Sequence, residues 1–467
     1  IRKNLIQRGL IKGIIGLPAN LFYGTAIPAC IVVIDKREAV SREGIFLVDA
    51  SEGFIKDGPK NRLRERDIHK IVDVFTRQIE VNGYSRFVGN EEIKGQDYNL
   101  NLPRYIDSNE SEDLQDIEGH LRGGIPERDI DALDEYWQVC PQLRESLFIP
   151  MRPSYLELAV PEAQLKSTIT EHCQFEDYVA GMAKHFDAWR QQVELKMKAL
   201  DIGCHPKEVI SELGECLLAH YKNKPLIDPY AVYQLLLNQW AETMQDDIYA
   251  ISADGWKAET YRILEKDKKG KIKDKGWVCD LVPKELLVRQ MFAGDLEMIE
   301  AFRIELEEAV SSLAELEEEN AGEDGAFGEM DKVNKTSVNA CIKEIKKDPE
   351  AAEELAILRE WLELSDKETA TKKALKSAEA ALDDQVYAQY SSLTKEEVIQ
   401  LVVQSKWLTS LEQAIASEVE RVSQALTSRL KELGERYGEP LPMISLRVEE
   451  LETRVASHLK RMGFTWN

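Results

Sequence analysis

Residues 12–36 read KGIIGLPANLFYGTAIPACIVVIDK. Two apolar, β-branched runs flank a loop that carries an aromatic pair, Phe22 and Tyr23. Runs of this length and composition are those of buried strands. Leu17-Pro18 stops the first, because proline has no N–H to donate to a ladder. The loop therefore projects from a sheet edge, where open α/β folds place ligand-contacting groups. Strands are expected over residues 12–17 and 27–35, and a third over 44–48 (GIFLV).

Outward from these strands, RERDIHKIVDVFTRQIE (64–80) has the period of an amphipathic helix. Asp67 is its expected N-cap, and Ile68, Ile71, Val72, Phe75 and Ile79 its buried stripe. An extended piece, DYNLNLPRYID, closes this α/β segment at residue 107, and the polar, acidic run SNESEDLQD marks a boundary.

The remainder reads as mainly α-helical. Residues 108–295 form a first helical domain, in which GGIPERDIDALDEYWQ places Pro126 at a first helical position and Ile130, Leu133 and Trp137 on one face. It includes LEKDKKGKIKDKGW, a basic turn between Trp256 and Trp277. Lys266, Lys268, Lys269, Lys271, Lys273 and Lys275 could touch phosphates there, Lys269, Lys271 and Lys273 foremost, although a solvated hairpin tip is the better reading. Residues 296–400 carry acidic helices. Phe302, Leu306, Val310 and Leu313 form one stripe, followed by an acidic loop over 317–331 expected to be mobile and explained by solvation alone. Leu355, Leu358, Trp361 and Leu362, then Leu375, Leu382 and Val386, mark a helix or helix pair.

Residues 401–467 close the chain. Thr394 and Glu397 make a capping box before them. Apolar residues then recur at spacings of three and four from Leu411 through Val422, Leu426 and Leu430 to Leu433. After the GEPLP turn they resume from Ile444 through Val448, Leu451 and Val455 to Met462. This pattern predicts an antiparallel helical hairpin. Its seam could be packed within the chain or offered to partner helices, and the residues alone leave both open.

Composition excludes several classes. No apolar run approaches the roughly 18 residues of a membrane span, and seven scattered cysteines read as the reduced thiols of a cytoplasmic protein. Cys204, His205, Cys216 and His220 invite a zinc reading, but no CxxC pair accompanies them, and core packing is preferred. The net charge of −24 is uneven: residues 1–107 carry 17 Lys and Arg against 14 Asp and Glu, the rest 43 against 70. So acidic a chain does not hold DNA by diffuse attraction, and nucleic-acid contact is expected in the first segment or with a partner's help. Glycine-rich phosphate loops, nucleophile elbows and zinc-peptidase motifs are absent from the sequence. No catalytic, cofactor-binding or metal-ligating residue can be nominated.

The run IRKNLIQRGLIKGIIGLPANLFYGTAIPACIVVIDK closely resembles the end of the methyltransferase domain in modification (M) subunits of type I restriction-modification enzymes. DYNLNLPRYID matches the family's closing sequence, and GGIPERDIDALDEYWQ and ERVSQALTSRLKELGERYGEPLP match as well. The resemblance implies that residues 1–107 hold the last strands of a Rossmann-like methyltransferase sheet. It implies transfer of methyl from S-adenosylmethionine to the exocyclic amino group of adenine in double-stranded DNA. The family's Phe-x-Gly-x-Gly cofactor loop and Asn/Asp-Pro-Pro-aromatic tetrapeptide do not occur here, and no Pro-Pro pair does. This portion alone is therefore expected to be inactive, with the donor bound mainly by residues outside it; the opening Ile1 suggests part of a longer polypeptide. An extruded adenine needs an aromatic face, and Phe22 aligns with the family's base-stacking position, Tyr23 in reserve; the plainer alternative has Phe22 plugging the sheet end. The resemblance also implies a specificity (S) subunit, a restriction (R) subunit and a second M subunit as partners, with the terminal hairpin (Val422, Leu426, Leu430, Val448, Leu451, Val455) docking on S. A non-enzymatic helical scaffold of a DNA-modification or defence complex is the competing reading.

Overall fold

The computed structural model describes residues 1–107, 114–266, 272–322, 325–328, 330, 332–346 and 351–464. Four strands make a mixed sheet: β1 (Ile11–Gly16), β2 (Cys30–Ile34), β3 (Gly44–Asp49) and, after a small separate hairpin of β4 (Ile55–Asp57) and β5 (Lys60–Arg62), β6 (Ser85–Gly89). Their order is β2-β1-β3-β6, with β1 parallel to β3 and both outer pairings antiparallel. Every residue of β3, GIFLVD, is buried. Strand alternation sends Ile45 and Leu47 into one apolar cluster and Phe46 and Val48 into another.

The first cluster is covered by α1 (Arg2–Gln7), through Ile6, and by Ile93, Tyr105 and Ile106. The second is covered by α2 (Glu65–Arg77), through Ile71 and Val74. Gly13 lets α2 approach so closely: a Cβ there would sit 2.4 Å from the Phe75 ring.

Two details of this segment differ from the sequence reading. β2 is not buried: Ile31, Val32 and Ile34 are 48%, 44% and 56% exposed, because β2 is an edge strand paired only with β1 and neither face is covered by described residues. Asp67 is not the N-cap of α2. The cap is Arg64, and Asp67 at the third helical position completes a capping box and takes the Arg64 guanidinium at 2.8 Å. Neutralised in this way, Asp67 is buried with Ile71 and Val74, which turns the helix so that Ile68 and Val72 face out.

The contacts divide the chain into two units: residues 1–197, 205–245 and 409–467 form one, residues 198–204 and 246–408 the other. In the first, the helix Cys173–Lys198 buries Phe175, Tyr178, Met182, Phe186, Trp189, Val193 and Met197 at helical spacing. The helix Pro229–Gln239 packs on α2, where Tyr230 donates to Asp73 at 2.7 Å and Gln234 accepts the Arg66 amide at 3.1 Å. GGIPERDIDALDEYWQ is not one helix. Pro126 belongs to a short strand and caps Glu127–Asp131, a second helix starts at Asp134, and the buried Trp137 indole donates back to the Ile130 carbonyl across the break.

In the second unit, Ala293–Glu319 packs along Ala352–Tyr390, a single 39-residue helix where the sequence left one or two open. In the first of these Ile299, Ala309 and Leu313 are buried and Val310 is exposed. The acidic stretch after it has more than solvation to explain it: Ala326 and Phe327 are buried against Leu313, Val338, Leu358 and Trp361, and Glu317 accepts the Trp361 indole at 2.7 Å. Elsewhere the buried Asp247 accepts the half-buried Lys406 ammonium at 2.8 Å, which also donates to the Asp280 and Leu281 carbonyls, while the Trp407 indole takes the second Asp247 oxygen.

The last two helices have opposite fates. Thr409–Gly438 buries Leu411, Ile415, Val419, Val422, Leu426, Leu430, Leu433 and Tyr437. It packs on Pro229–Gln239, on Leu165–Thr170 and on Ile117–Arg122. At its end the Tyr437 hydroxyl accepts the Asp116 amide at 3.1 Å and donates to Asp129 at 3.2 Å. The C-terminal helix Leu441–Arg461 buries no residue. The apolar seam expected between these two helices is thus divided, one half spent on the chain's own core and the other left open. Leu430→Ala should cost about 2–5 kcal/mol, whereas Leu451→Ala should change stability by less than about 0.5 kcal/mol; urea unfolding of the two variants side by side checks this.

Candidate functional site at the carboxyl end of the sheet

β1 ends at Gly16, and the chain crosses to β2 through the loop holding Phe22 and Tyr23. The loop is closed at its base by the Leu17 amide, which donates to the Ala29 carbonyl at 2.8 Å. Leu17 is buried and Leu21 packs on the cluster under α2, so one side of the loop is anchored. Asn20 takes a left-handed conformation (φ +54°), which asparagine tolerates better than most residues. Beyond it Phe22 is 51% and Tyr23 93% exposed. Phe22 therefore does not plug the sheet end.

The parallel neighbour β3 ends on the same side, at Asp49, whose buried carboxylate accepts the Ser51 amide at 3.1 Å. A cleft of about 820 Å³ opens between these ends, walled by Gly16, Leu17, Pro28–Cys30, Asp49, Ser51 and Glu52. Its far wall is Leu100–Pro103, from the closing motif, and the Leu102 side chain lies so close to Gly16 that a Cβ there would clash. Phe22 and Tyr23 stand apart from this lining.

A smaller, polar cavity of about 280 Å³ lies along α2, between Arg64, Arg66, Lys70, Tyr84, Asp228 and Tyr230. The Lys70 ammonium sits 4.4 Å from the Tyr84 ring centroid and 5.9 Å from that of Tyr230, a cation–π arrangement. Burial pushes the Tyr84 hydroxyl well above the usual tyrosine range, and the nearby Asp67, Asp49 and Asp228 carboxylates add to it. Burial also raises Tyr230, helped by its hydrogen bond to Asp73.

The other residues singled out in the sequence scatter. Lys269 and Lys271 lie outside the described residues; Lys273 lies on a strand, Ile272–Val278, opposite Glu265 in a hairpin with Tyr261–Lys266. Lys275 is ion-paired to Glu265 at 2.6 Å. His220 bonds to Gln192 at 2.9 Å, and Cys204 lies against the Ile248 carbonyl. Val422, Leu426 and Leu430 are buried, whereas Val448, Leu451 and Val455 are exposed. Sequence reasoning passed over the hairpin of β4 and β5, although Gly58-Pro59 between short polar runs signals a tight turn.

Residues 1–114 match the family model of N-6 DNA methylases. Curated relatives that share it include the MjaVII methylase subunit of a type I restriction enzyme from Methanocaldococcus jannaschii, 36% identical over 141 residues, which are 29% of this chain and 24% of that one. The MpnII methylase subunit of Mycoplasma pneumoniae is 32% identical over 117 residues, 25% of this chain and 21% of that one. A crystal structure of the type I restriction-modification system methyltransferase subunit from Streptococcus thermophilus is 35% identical over 23% of each chain, with a TM-score of 0.22. The chain spans about a quarter or less of the length of these curated relatives.

Tyr84 and Tyr230, two of the tyrosines that burial shifts upward, give a pH signature. Ordinary tyrosines ionise near pH 10, and Tyr84 and Tyr230 stay protonated beyond it. Their folded values lie above the unfolded one, so their stabilising contribution is complete below about pH 10 and is lost as pH rises toward the folded values. Alkaline titration followed by tyrosinate absorbance should show a late phase that Tyr84→Phe and Tyr230→Phe each diminish; the same late amplitude in both variants would contradict the assignment.

Proposed function

We propose that this chain is the C-terminal portion of the methylase (M) subunit of a type I restriction-modification system. The full subunit transfers methyl from S-adenosylmethionine to the exocyclic amino group of adenine in DNA. Its sequence reading is supplied by a specificity (S) subunit, and a restriction (R) subunit and a second M subunit complete the assembly. The observation that carries this reading is the exposed aromatic loop at the carboxyl end of β1, inside the 114 residues that match the methylase family.

Adenine inside a duplex is out of reach, so an enzyme acting on its amino group must extrude it and hold it. The extruded base loses its stacking partners and needs another π-face, worth on the order of 1–3 kcal/mol. Phe22 is exposed enough to supply one and anchored enough, through Leu17 and Leu21, to supply it in a defined place. Tyr23, almost fully exposed, is the second aromatic within reach.

We place the donor site mainly outside the described residues. No glycine-rich turn follows β1 or β3, and the Asp49 carboxylate already holds the Ser51 amide. No step is therefore assigned to these residues through the methyl donor. The exposed apolar edge of β2 fits a sheet that continues beyond it, and we assign the donor and catalytic motifs to strands on that side. The net charge of −24 fits an enzyme whose DNA reading lies elsewhere.

Docking on the S subunit falls to the C-terminal helix. Ile444, Val448, Leu451 and Val455 form one exposed stripe on it, and a stripe of this kind fits a helix-on-helix interface. The apolar stripe of Thr409–Gly438 is unavailable, since it is buried.

Two measurements test these assignments. In the full methylase subunit assembled with its S subunit, Phe22→Ala should reduce the fluorescence rise of an adenine analogue at the target position and lower turnover about 10-fold or more, in line with a stacking loss of about 1–3 kcal/mol. Unchanged extrusion and turnover would sink the stacking role. Leu451→Glu should abolish co-purification with the S subunit and leave the unfolding transition in place, because the position is exposed; a retained complex would refute the docking helix.

A further inference from the structure

We infer that the hairpin of β4 and β5 is a brace that sets the position of the aromatic loop, with Lys60 and Asn61 as positioning residues for Phe22. Three hydrogen bonds from two adjacent residues converge on one short stretch of loop backbone. The Asn61 amide donates to the Asn20 carbonyl at 3.1 Å, and the Asn61 side chain donates to the Ala19 carbonyl at 2.8 Å. The Lys60 ammonium donates to the carbonyl of Phe22 itself at 2.8 Å and stands 5.9 Å from the Tyr23 ring centroid.

The hairpin is built to hold that dipeptide still. Asp57 pairs with Lys60, leaving Gly58 and Pro59 as the two central turn residues. Gly58 has φ of +59°, and proline fixes its own φ at a negative value, which is the pattern of a type II′ turn suited to a two-residue hairpin. Arg62 closes onto Asp57 at 3.1 Å across the hairpin. One residue further, Leu63 packs on the cluster beneath α2, and Arg64 is the cap of α2 itself. A rigid path thus runs from α2, docked on the sheet, through the hairpin to the backbone of residues 19–22. The loop is held from two directions, by the strand ends and by this brace.

An aromatic that receives an extruded base has to stand within about an ångström of its productive place for the base to be captured. A loop tied only at its base would carry Phe22 over a wider range. The left-handed turn at Asn20 makes the brace more consequential, since Asn61 binds the carbonyls on both sides of that turn's amide. This inference rests on the stacking reading of Phe22 for its catalytic consequence, while the brace itself can be read without it.

The test therefore has two arms. In the 467-residue chain, amide hydrogen exchange of the peptides covering residues 19–27 should accelerate about 10-fold in the double variant Lys60→Met, Asn61→Ala, because two of the three bonds are lost and local opening becomes easier. Lys60→Arg, which keeps a donor, should exchange like the parent. Unchanged exchange in the double variant overturns the brace, whatever Phe22 does. In the assembled methylase, the double variant should lower turnover in the parent about as much as Phe22→Ala does. It should lower it no further in the Phe22→Ala background, with KM for DNA unmoved in both. A full additional loss in that background overturns the claim that the brace acts through Phe22. Faster exchange combined with a silent Phe22→Ala keeps the brace and removes the stacking reading instead.

Discussion

β3 is buried on both faces, and a strand in that position has to be covered twice. α1 and the closing motif cover one side and α2 the other, each by a few aliphatic side chains worth roughly 1.5–3 kcal/mol apiece when fully buried. The position of the candidate groups at the carboxyl end of the sheet follows from this arrangement. β1 runs parallel to β3, so their carboxyl ends lie side by side and open the cleft where Leu100–Pro103 meets Gly16 and Asp49. α2, pressed against β1 at Gly13, sets where Arg64, Arg66 and Lys70 stand and where the hairpin that holds the aromatic loop ends.

The sheet leaves one side unfinished. β2 pairs with β1 along its length, yet its valine and isoleucine side chains remain about half exposed. Exposed, flat apolar edges are hazards that folded proteins ordinarily cover or charge, so the chemistry of β2 is that of an interior strand in an edge position. The same contrast recurs at the other end of the chain, where Thr409–Gly438 has a buried stripe and Leu441–Arg461 an open one. Each open apolar surface lies where the methylase reading calls for a neighbour: further strands at the first, partner helices at the second.

Much of this was legible in the residues. Strand periodicity located β1, β2 and β3 within a few positions, and helical periodicity found α2 and the two final helices. Pattern alone could not say which apolar residues would be covered. Ile68 and Val72 looked like core but were turned outward when the Arg64–Asp67 pair allowed Asp67 to take the buried place. Phe327 sat in a stretch acidic enough to pass for a solvated loop, and is buried because Trp361 and Leu358, more than 30 residues away, form a pocket for it. The brace at Lys60 and Asn61 left almost no trace in the sequence, since its strands are three residues long and polar.

The residues alone set β1 to β3, α2, the aromatic loop between two strands and the methylase resemblance of the first segment, because each of these is written in local periodicity or in contiguous motifs. The tertiary structure alone decided which of two similar helices spends its apolar face on the chain's own core. It also decided that Phe22 stands exposed, and that a lysine and an asparagine 38 to 42 residues away hold its loop. Those outcomes depend on long-range packing, where burial is settled by what arrives on the other side of a residue, and no local pattern records that.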